Sequence, residues 1–286
     1  MRLAWLGVGS LGRPMAGRLI AAGIRPILFD VRPETLQELG ERAELAGSVA
    51  EAAAAADLIF STLPNDAILT SVGATVLEAM PDDAVYCDMS TVSPEASAAV
   101  AALAGEKAYL RAPVSGSVSH AEQGILTILA SGPEAAYRRC LPIFEELSQQ
   151  RFLVGPAEEA RYLKLVINNL VGSTAALLAE SLALAETAGL DRATTLDVLS
   201  ASAVGSPLVK YKADALKARD FSPTFTTDMM IKDMGLFTEA ARRQDTAAPL
   251  ANRTLSLLRE HSAAGCGDED FFGIVKLLAR KRSLDG

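Results

Sequence analysis

With 286 residues, half of them hydrophobic and only 5% aromatic, the chain is long for one core and comfortable for two, each aliphatic and alanine-rich. Its net charge of −8 argues against general electrostatic binding to nucleic acid or to an anionic membrane. Three scattered cysteines (Cys87, Cys140, Cys266) show no paired spacing, which fits a reducing compartment, and two histidines, His120 and His261, are too few to build a metal cluster with them, so no metal is expected.

The N-terminus passes straight into a strand, Leu3–Val8, with no apolar stretch followed by a cleavage site, so a cytoplasmic location is expected. Gly7, Gly9, Ser10, Leu11 and Gly12 then form a glycine-rich turn that opens a helix over Leu11–Ala22. The first glycine of such a turn permits a tight bend. The second lets backbone approach a pyrophosphate, and the third lets helix and strand pack closely. A second strand, Pro26–Asp30, ends in an acid, the residue type that accepts hydrogen bonds from adenosine ribose hydroxyls and repels a 2′-phosphate. Asp30 therefore favours NAD, while Arg32 two residues on could pair with the extra phosphate of NADP.

A short helix is expected over Pro33–Leu39, followed by strands at Asp57–Leu63, Ala84–Met89, Ala108–Ala112, Leu126–Ala130 and Phe152–Val154. Their apolar runs are continuous rather than alternating, as in strands covered on both faces. Helical patterns at Ser93–Ala104 and Pro133–Leu147 lie between them, with Ser93 as cap and Pro94 at the first helical position. Strand and helix in alternation predict an α/β Rossmann fold, a doubly wound parallel sheet, over residues 1–157.

After Gly155-Pro156 only helical periodicity remains. A helix over residues 158–188, stopped near Gly189, would run well over about 40 Å and connect two domains. The rest of 158–286, with loops near Ser206-Pro207 and Ser222-Pro223, reads as all-helical. No uninterrupted apolar run reaches the roughly 18 residues of a membrane span, because Lys164, Asn168, Asn169, Glu180 and Glu186 break the longest candidate, Leu163 to Leu190. The Arg280, Lys281, Arg282 cluster reads as cations complementing a helix C-terminus.

On the long helix, Lys164 and Asn168 are four apart and share a face. They flank an apolar stripe, where burial could lower a lysine pKa enough for proton exchange with an alcohol. A surface lysine and an amide tying helices together are the plain alternatives. In the same way Ser115-Gly116-Ser117 could be only a strand-to-helix turn, and Lys232 only a solvated residue.

Several ordered motifs together resemble the β-hydroxyacid dehydrogenases, also called the 3-hydroxyisobutyrate dehydrogenase family. They are the glycine turn through Met15-Ala16, Asp88-Met89-Ser90-Thr91 with Pro94, Ala112-Pro113-Val114-Ser115-Gly116, Lys164 with Asn168 and Asn169, Lys232-Asp233, and Gly267-Asp268 with Asp270. The resemblance covers nearly the whole chain. It implies a Rossmann domain, a connecting helix and an all-α domain that pairs with a second copy, as a homodimer or homotetramer.

It also implies roles. Lys164 would be the general acid/base, with Asn168 orienting the substrate. Ser115, Gly116 and Ser117 would hold a substrate carboxylate, and Asn169 would also bind the substrate. Thr91, Leu63 and Pro64 would line the nicotinamide side, and Lys232 would help close the site. The segment from Ser115 through Gly124 to Gly132 is more similar to the glyoxylate and succinic semialdehyde reductase branch, which commonly favours NADPH, whereas Asp30 favours NAD. Candidate substrates are 3-hydroxyisobutyrate, tartronate semialdehyde, glyoxylate, succinic semialdehyde or a serine-like compound. Two other readings remain at this level. Imine reductases share the fold but usually lack a lysine like Lys164, and a catalytically silent scaffold would have no need of Lys164, Asn168 and Lys232 together.

Overall fold

The computed structural model describes residues 1–37 and 39–281 and divides into two compact units, Met1–Lys164 and Leu165–Gly286. In the first unit the chain runs β1 (Leu3–Leu6), α1 (Gly12–Ala21), β2 (Ile27–Phe29), β3 (Glu44–Leu45), α2 (Val49–Ala54), β4 (Leu58–Ser61), α3 (Asp66–Ala79), β5 (Val85–Asp88) and α4 (Pro94–Ala104). It continues through β6 (Ala108–Arg111), β7 (Val114–Ser115), α5 (Val118–Gln123), β8 (Leu126–Ser131), α6 (Glu134–Leu147) and β9 (Ser148–Gly155). Strands β3-β2-β1-β4-β5-β6 pair in parallel. The far end of the sheet turns mixed, because β8 runs antiparallel to β6 and β7 while β9 pairs parallel to β8.

Alternation along each strand explains the continuous apolar runs. Leu3, Trp5, Leu58, Phe60, Val85 and Cys87 enter one core, and Ala4, Leu6, Ile59 and Tyr86 enter another. Successive side chains point to opposite faces of a strand, so these are the two covered faces of one sheet. Trp5 stacks on Phe60 at 5.5 Å between ring centroids, and Phe60 meets Phe144 edge-on at 6.0 Å. Each such fully buried ring contributes about 1.5–3 kcal/mol of transfer free energy. Ser93 caps α4 through the Ala96 N–H with Pro94 in the first turn, as its sequence predicts.

Several elements differ from expectation. Residues 33–39 do not form one helix: Pro33–Leu36 is a short 3₁₀ turn, and Glu38 lies outside the described residues. Leu36 and Leu39 are both buried, and a spacing of three suits the threefold 3₁₀ period better than the α-helix. Strand β3 was hidden because it is a two-residue exposed edge. Strand β9 starts four residues before the expected Phe152 because its first half, Ser148 to Arg151, is polar and gives no apolar signal.

Helix α7 (Glu159–Thr187) begins in the first unit and supplies most of its length to the second. Its 29 residues make it about 44 Å long at 1.5 Å per residue. A positive φ of 82° at Gly189 and the Leu190 N–H to Ala185 carbonyl bond end it. By length and composition alone this helix could cross a membrane, contrary to the expectation from its broken apolar run. One face of it, however, carries Ala175, Leu178, Ala179 and Leu182 into the core of the second unit. That unit continues with α8 (Arg192–Ala201), α9 (Pro207–Ala218), α10 (Thr227–Arg243), α11 (Pro249–His261) and α12 (Val275–Lys281). Its described residues are helical apart from short turns and one isolated bridge between Thr226 and Asp270. Of the basic cluster at the end of α12, Arg282 lies outside the described residues.

Candidate active site

In a parallel sheet, ligands bind at the carboxyl ends of the strands, and the predicted cofactor residues of the first unit all lie there. Gly7, Gly9, Ser10, Leu11 and Gly12 follow β1, and Asp30 and Arg32 follow β2; Leu63 and Pro64 follow β4, and Thr91 follows β5. The glycine turn has the shape a dinucleotide needs. Gly7 has φ +86°, and a Cβ on it would lie 2.3 Å from the Thr62 carbonyl oxygen. A Cβ on Gly12 would lie 2.1 Å from the Gly7 oxygen, so helix and strand close on each other. Above Gly9, by contrast, a Cβ would meet only the Arg32 guanidinium at 3.8 Å. No side chain caps α1 at Leu11, which leaves the helix start to a ligand anion. Thr62 braces the turn by donating to the Gly7 carbonyl at 2.6 Å, and accepts from Trp5 at 3.2 Å.

The Asp30 carboxylate accepts the Val8 N–H at 2.7 Å and the Arg32 N–H at 2.9 Å. It is therefore fixed against the glycine turn and stands 3.8 Å from the Arg32 guanidinium, which is largely exposed.

The predicted carboxylate-holding segment is the end of a strand. Strands β6 and β7 share one register along β8, from Arg111 opposite Ser131 to Ser115 opposite Thr127. Ser115 therefore stands beyond the carboxyl end of β6, on the side of the cofactor turn. Gly116 has φ +144°, and a Cβ there would press on Leu126 at 2.6 Å. Ser117 opens α5, and His120 folds back over it. His120 Nδ1 accepts the Ser117 N–H at 3.2 Å and lies 2.7 Å from the Ser117 hydroxyl. A ring nitrogen that accepts a backbone N–H carries no proton, so the Ser117 hydroxyl donates to it in the neutral imidazole. The strand-to-helix turn considered from sequence is thus present, whatever else the segment does.

Lys164 stands on α7 between two anchored neighbours on the same face, Arg161 one turn before and Asn168 one turn after. Arg161 is 1% exposed and donates to the Asp88 carboxylate at 2.5 Å, the Ser90 carbonyl at 2.7 Å, Ser97 at 3.1 Å and Tyr109 at 3.2 Å. Burial is the largest single influence and works against its charge, but Asp88 and Tyr109 together outweigh it and hold the guanidinium above its ordinary pKa. Asp88 also accepts from the hydroxyls of Ser61 and Ser90, each at 2.6 Å, and Ser90 accepts the Leu63 N–H at 2.7 Å. In the second unit Asn168 donates to Asp233 at 2.6 Å, and Lys232 stands 3.1 Å from the same carboxylate. Asn169 accepts from Ser173 at 3.4 Å.

The sequence reading missed Arg161, Glu158 and Arg111, and missed Asp233 as an anchor. An available signal was the opposite charge ending two consecutive apolar strands, Asp88 on β5 and Arg111 on β6. The two histidines were expected to be too few to build a metal cluster with the cysteines, yet one possible ligand group is present. His261, Cys266 and Glu269 bring ligand atoms within 4.8 Å of one another, because a π-turn over Ser262–Cys266 closes the chain on itself. Glu269 is ion-paired with Lys276 there, so the cluster already holds a cation.

A glycine turn shaped for pyrophosphate, an acid after β2 and a helical second unit define a nicotinamide-dinucleotide-dependent oxidoreductase. A family profile described as the NAD binding domain of 6-phosphogluconate dehydrogenase matches residues 2–155, and one described as NAD-binding of NADP-dependent 3-hydroxyisobutyrate dehydrogenase matches 159–278. The chain is 31% identical to 2-(hydroxymethyl)glutarate dehydrogenase of Eubacterium barkeri, over 97% of this chain and 94% of that one. It is also 31% identical to 3-hydroxyisobutyrate dehydrogenase of Pseudomonas aeruginosa, over 98% and 99%. The structure of Mycobacterium tuberculosis 3-hydroxyisobutyrate dehydrogenase with L-serine aligns at a TM-score of 0.89 and 28% identity, covering 97% of this chain and 99% of that one. Solved imine reductases align less closely, at TM-scores of 0.65 and 0.62 with 17% and 20% identity, a likeness of fold alone. This chain belongs to the 3-hydroxyisobutyrate, or β-hydroxyacid, dehydrogenase family and is an NAD(P)-dependent dehydrogenase.

Proposed function

We propose that the protein exchanges hydride between NAD and a small β-hydroxy acid or its semialdehyde, with Lys164 as proton donor and acceptor. The observation that carries this reading is the placement of Lys164 on one helix face between Arg161 and Asn168, each tied to a buried carboxylate. Anchoring the helix on both sides of Lys164 fixes the backbone from which its ammonium reaches, and positioning of that kind is what proton transfer requires. A nicotinamide cofactor, when bound, would supply hydride exchange with the substrate carbon. Lys164 takes the hydroxyl proton during oxidation and returns it to the carbonyl oxygen during reduction. Asn168 and Asn169 orient that oxygen, and the 115–117 turn holds the substrate carboxylate through backbone N–H groups and Ser115. Leu63, Pro64 and Thr91 wall the nicotinamide side, and Lys232 adds positive charge. Asp30, held against the glycine turn, favours NAD over NADP.

The reading includes a homodimer or homotetramer through the helical unit. Val166, Leu170, Leu177 and Leu184 line one exposed face of α7, and apolar stripes of this kind favour self-association. Buried free thiols at Cys87, Cys140 and Cys266 fit a cytoplasmic setting.

A panel of β-hydroxy acids and semialdehydes, assayed with NADH/NAD and NADPH/NADP at one pH, tests the reading. Carboxylate-bearing members should turn over, and their neutral methyl esters should lose about tenfold or more in kcat/KM, the worth of one charged hydrogen bond. Equal turnover of acid and ester contradicts it.

A further inference from the structure

We propose that Asp88, Arg111, Glu158 and Arg161 form a crossed charge clasp that sets the rotation of α7 and so positions Lys164. The inference rests on the catalytic reading of Lys164. Asp88 and Arg111 are register partners at the ends of β5 and β6. Glu158 and Arg161 are three residues apart at the start of α7. Arg161 takes Asp88 at 2.5 Å, and Arg111 takes Glu158 with its Nε at 2.9 Å and also with its Nη2. All four side chains are nearly buried, between 0% and 14% exposed. A third strand end joins them: the Ser131 hydroxyl, at the end of β8, donates to the Ala157 carbonyl at 2.7 Å and accepts the Ala160 N–H at 3.2 Å.

Crossed signs make the fit directional. Turning or sliding the helix start by one residue separates both pairs, and exchanging their places would set carboxylate on carboxylate and guanidinium on guanidinium. An apolar contact would hold a helix as tightly without the desolvation cost of buried ions, whereas charges penalise the wrong register. The register matters because Lys164 is the next residue on the Arg161 face. The same guanidinium also grips the Ser90 carbonyl, and Ser90 takes the Leu63 N–H. Arg161 thus ties the lysine helix to the loops proposed to wall the nicotinamide. It is a positioning residue, and a shift of about 1 Å at such a site costs on the order of 10²-fold in rate.

The test compares Arg161→Met combined with Asp88→Asn, Arg161→Lys, and Lys164→Ala with the natural protein. The first removes both charges while leaving an amide for Ser61 and Ser90. The readouts are thermal melting, cofactor Kd by fluorescence without substrate, and kcat across pH. The double variant should melt cooperatively, hold cofactor within about threefold, lose about 10²-fold in kcat and show a displaced kcat–pH profile. Arg161→Lys, which keeps the charge without the forked reach, should fall between. A folded double variant with natural kcat and pH profile overturns the inference while Lys164→Ala is inactive. If the double variant does not fold, a natural kcat and pH profile in Arg161→Lys overturns it equally. A Lys164→Ala protein that keeps turnover removes the catalytic reading and the inference with it.

Discussion

Asn168 on α7 donates its amide N–H to Asp233 on α10 at 2.6 Å, and both side chains are buried. This bond ties the helix that carries Lys164 to the helix that carries Lys232 within the second unit. Removing the amide leaves a buried carboxylate short of a donor, which costs about 1–3 kcal/mol.

Asn168→Ala should therefore lower the melting temperature and turnover together. Asn168→Asp should do worse in a pH-dependent way. Two carboxylates at hydrogen-bond distance cannot both ionise, so one folded-state pKa rises above its unfolded value. A raised carboxyl pKa contributes stability at low pH and loses it as pH rises. Melting curves at pH 5 and pH 8 should show the destabilisation by Asn168→Asp growing with pH; equal destabilisation at both would contradict the pairing.

Asp30→Ser should weaken NAD binding and shift the NAD-to-NADP preference toward NADP by about tenfold, since a repelling charge is removed. Asp30→Asn separates charge from hydrogen bonding, because the amide oxygen can still take the Val8 N–H. Dissociation constants for both cofactors check this, and an unchanged ratio in both variants removes Asp30 from the ribose site.

His120→Ala frees the Ser117 hydroxyl and N–H from the imidazole. If 115–117 holds the substrate carboxylate, KM should change severalfold while cofactor Kd stays constant. Steady-state kinetics with a saturating cofactor measure this; a KM that stays put places the substrate carboxylate elsewhere.

Alkaline pH should reveal the tyrosines behind the clasp. Burial, then Asp88, pushes the Tyr86 hydroxyl well above its usual pKa. Burial likewise raises Tyr109, against the opposing pull of Arg161. A raised folded pKa contributes stability that is full below the unfolded value, about 10, and is lost as pH rises beyond it toward the folded values. Denaturant midpoints should hold steady up to about pH 9.5 and then fall. The fall should be shallower in Tyr86→Phe, and an identical slope would contradict the assignment.

The cofactor turn was legible because glycine spacing, a preceding apolar strand and an acid after β2 are local signals. The long helix was legible because its apolar stripe repeats turn after turn. The clasp was not, because Asp88 and Arg111 read one at a time as charges ending strands, and only the register of β5 and β6 sets them side by side. Arg161 reads as an ordinary helix cation until Asp88 is placed against it. Strand β7 was hidden by its length of two residues, and the meeting of His261 with Cys266 depends on a π-turn that no periodicity announces.

The central claim is that the ammonium of Lys164 carries the proton. Lys164→Ala assayed on a good substrate at saturating cofactor measures it most directly. Turnover should drop by about 10²–10⁴ with cofactor affinity nearly unchanged; turnover equal to that of the natural protein would contradict the account.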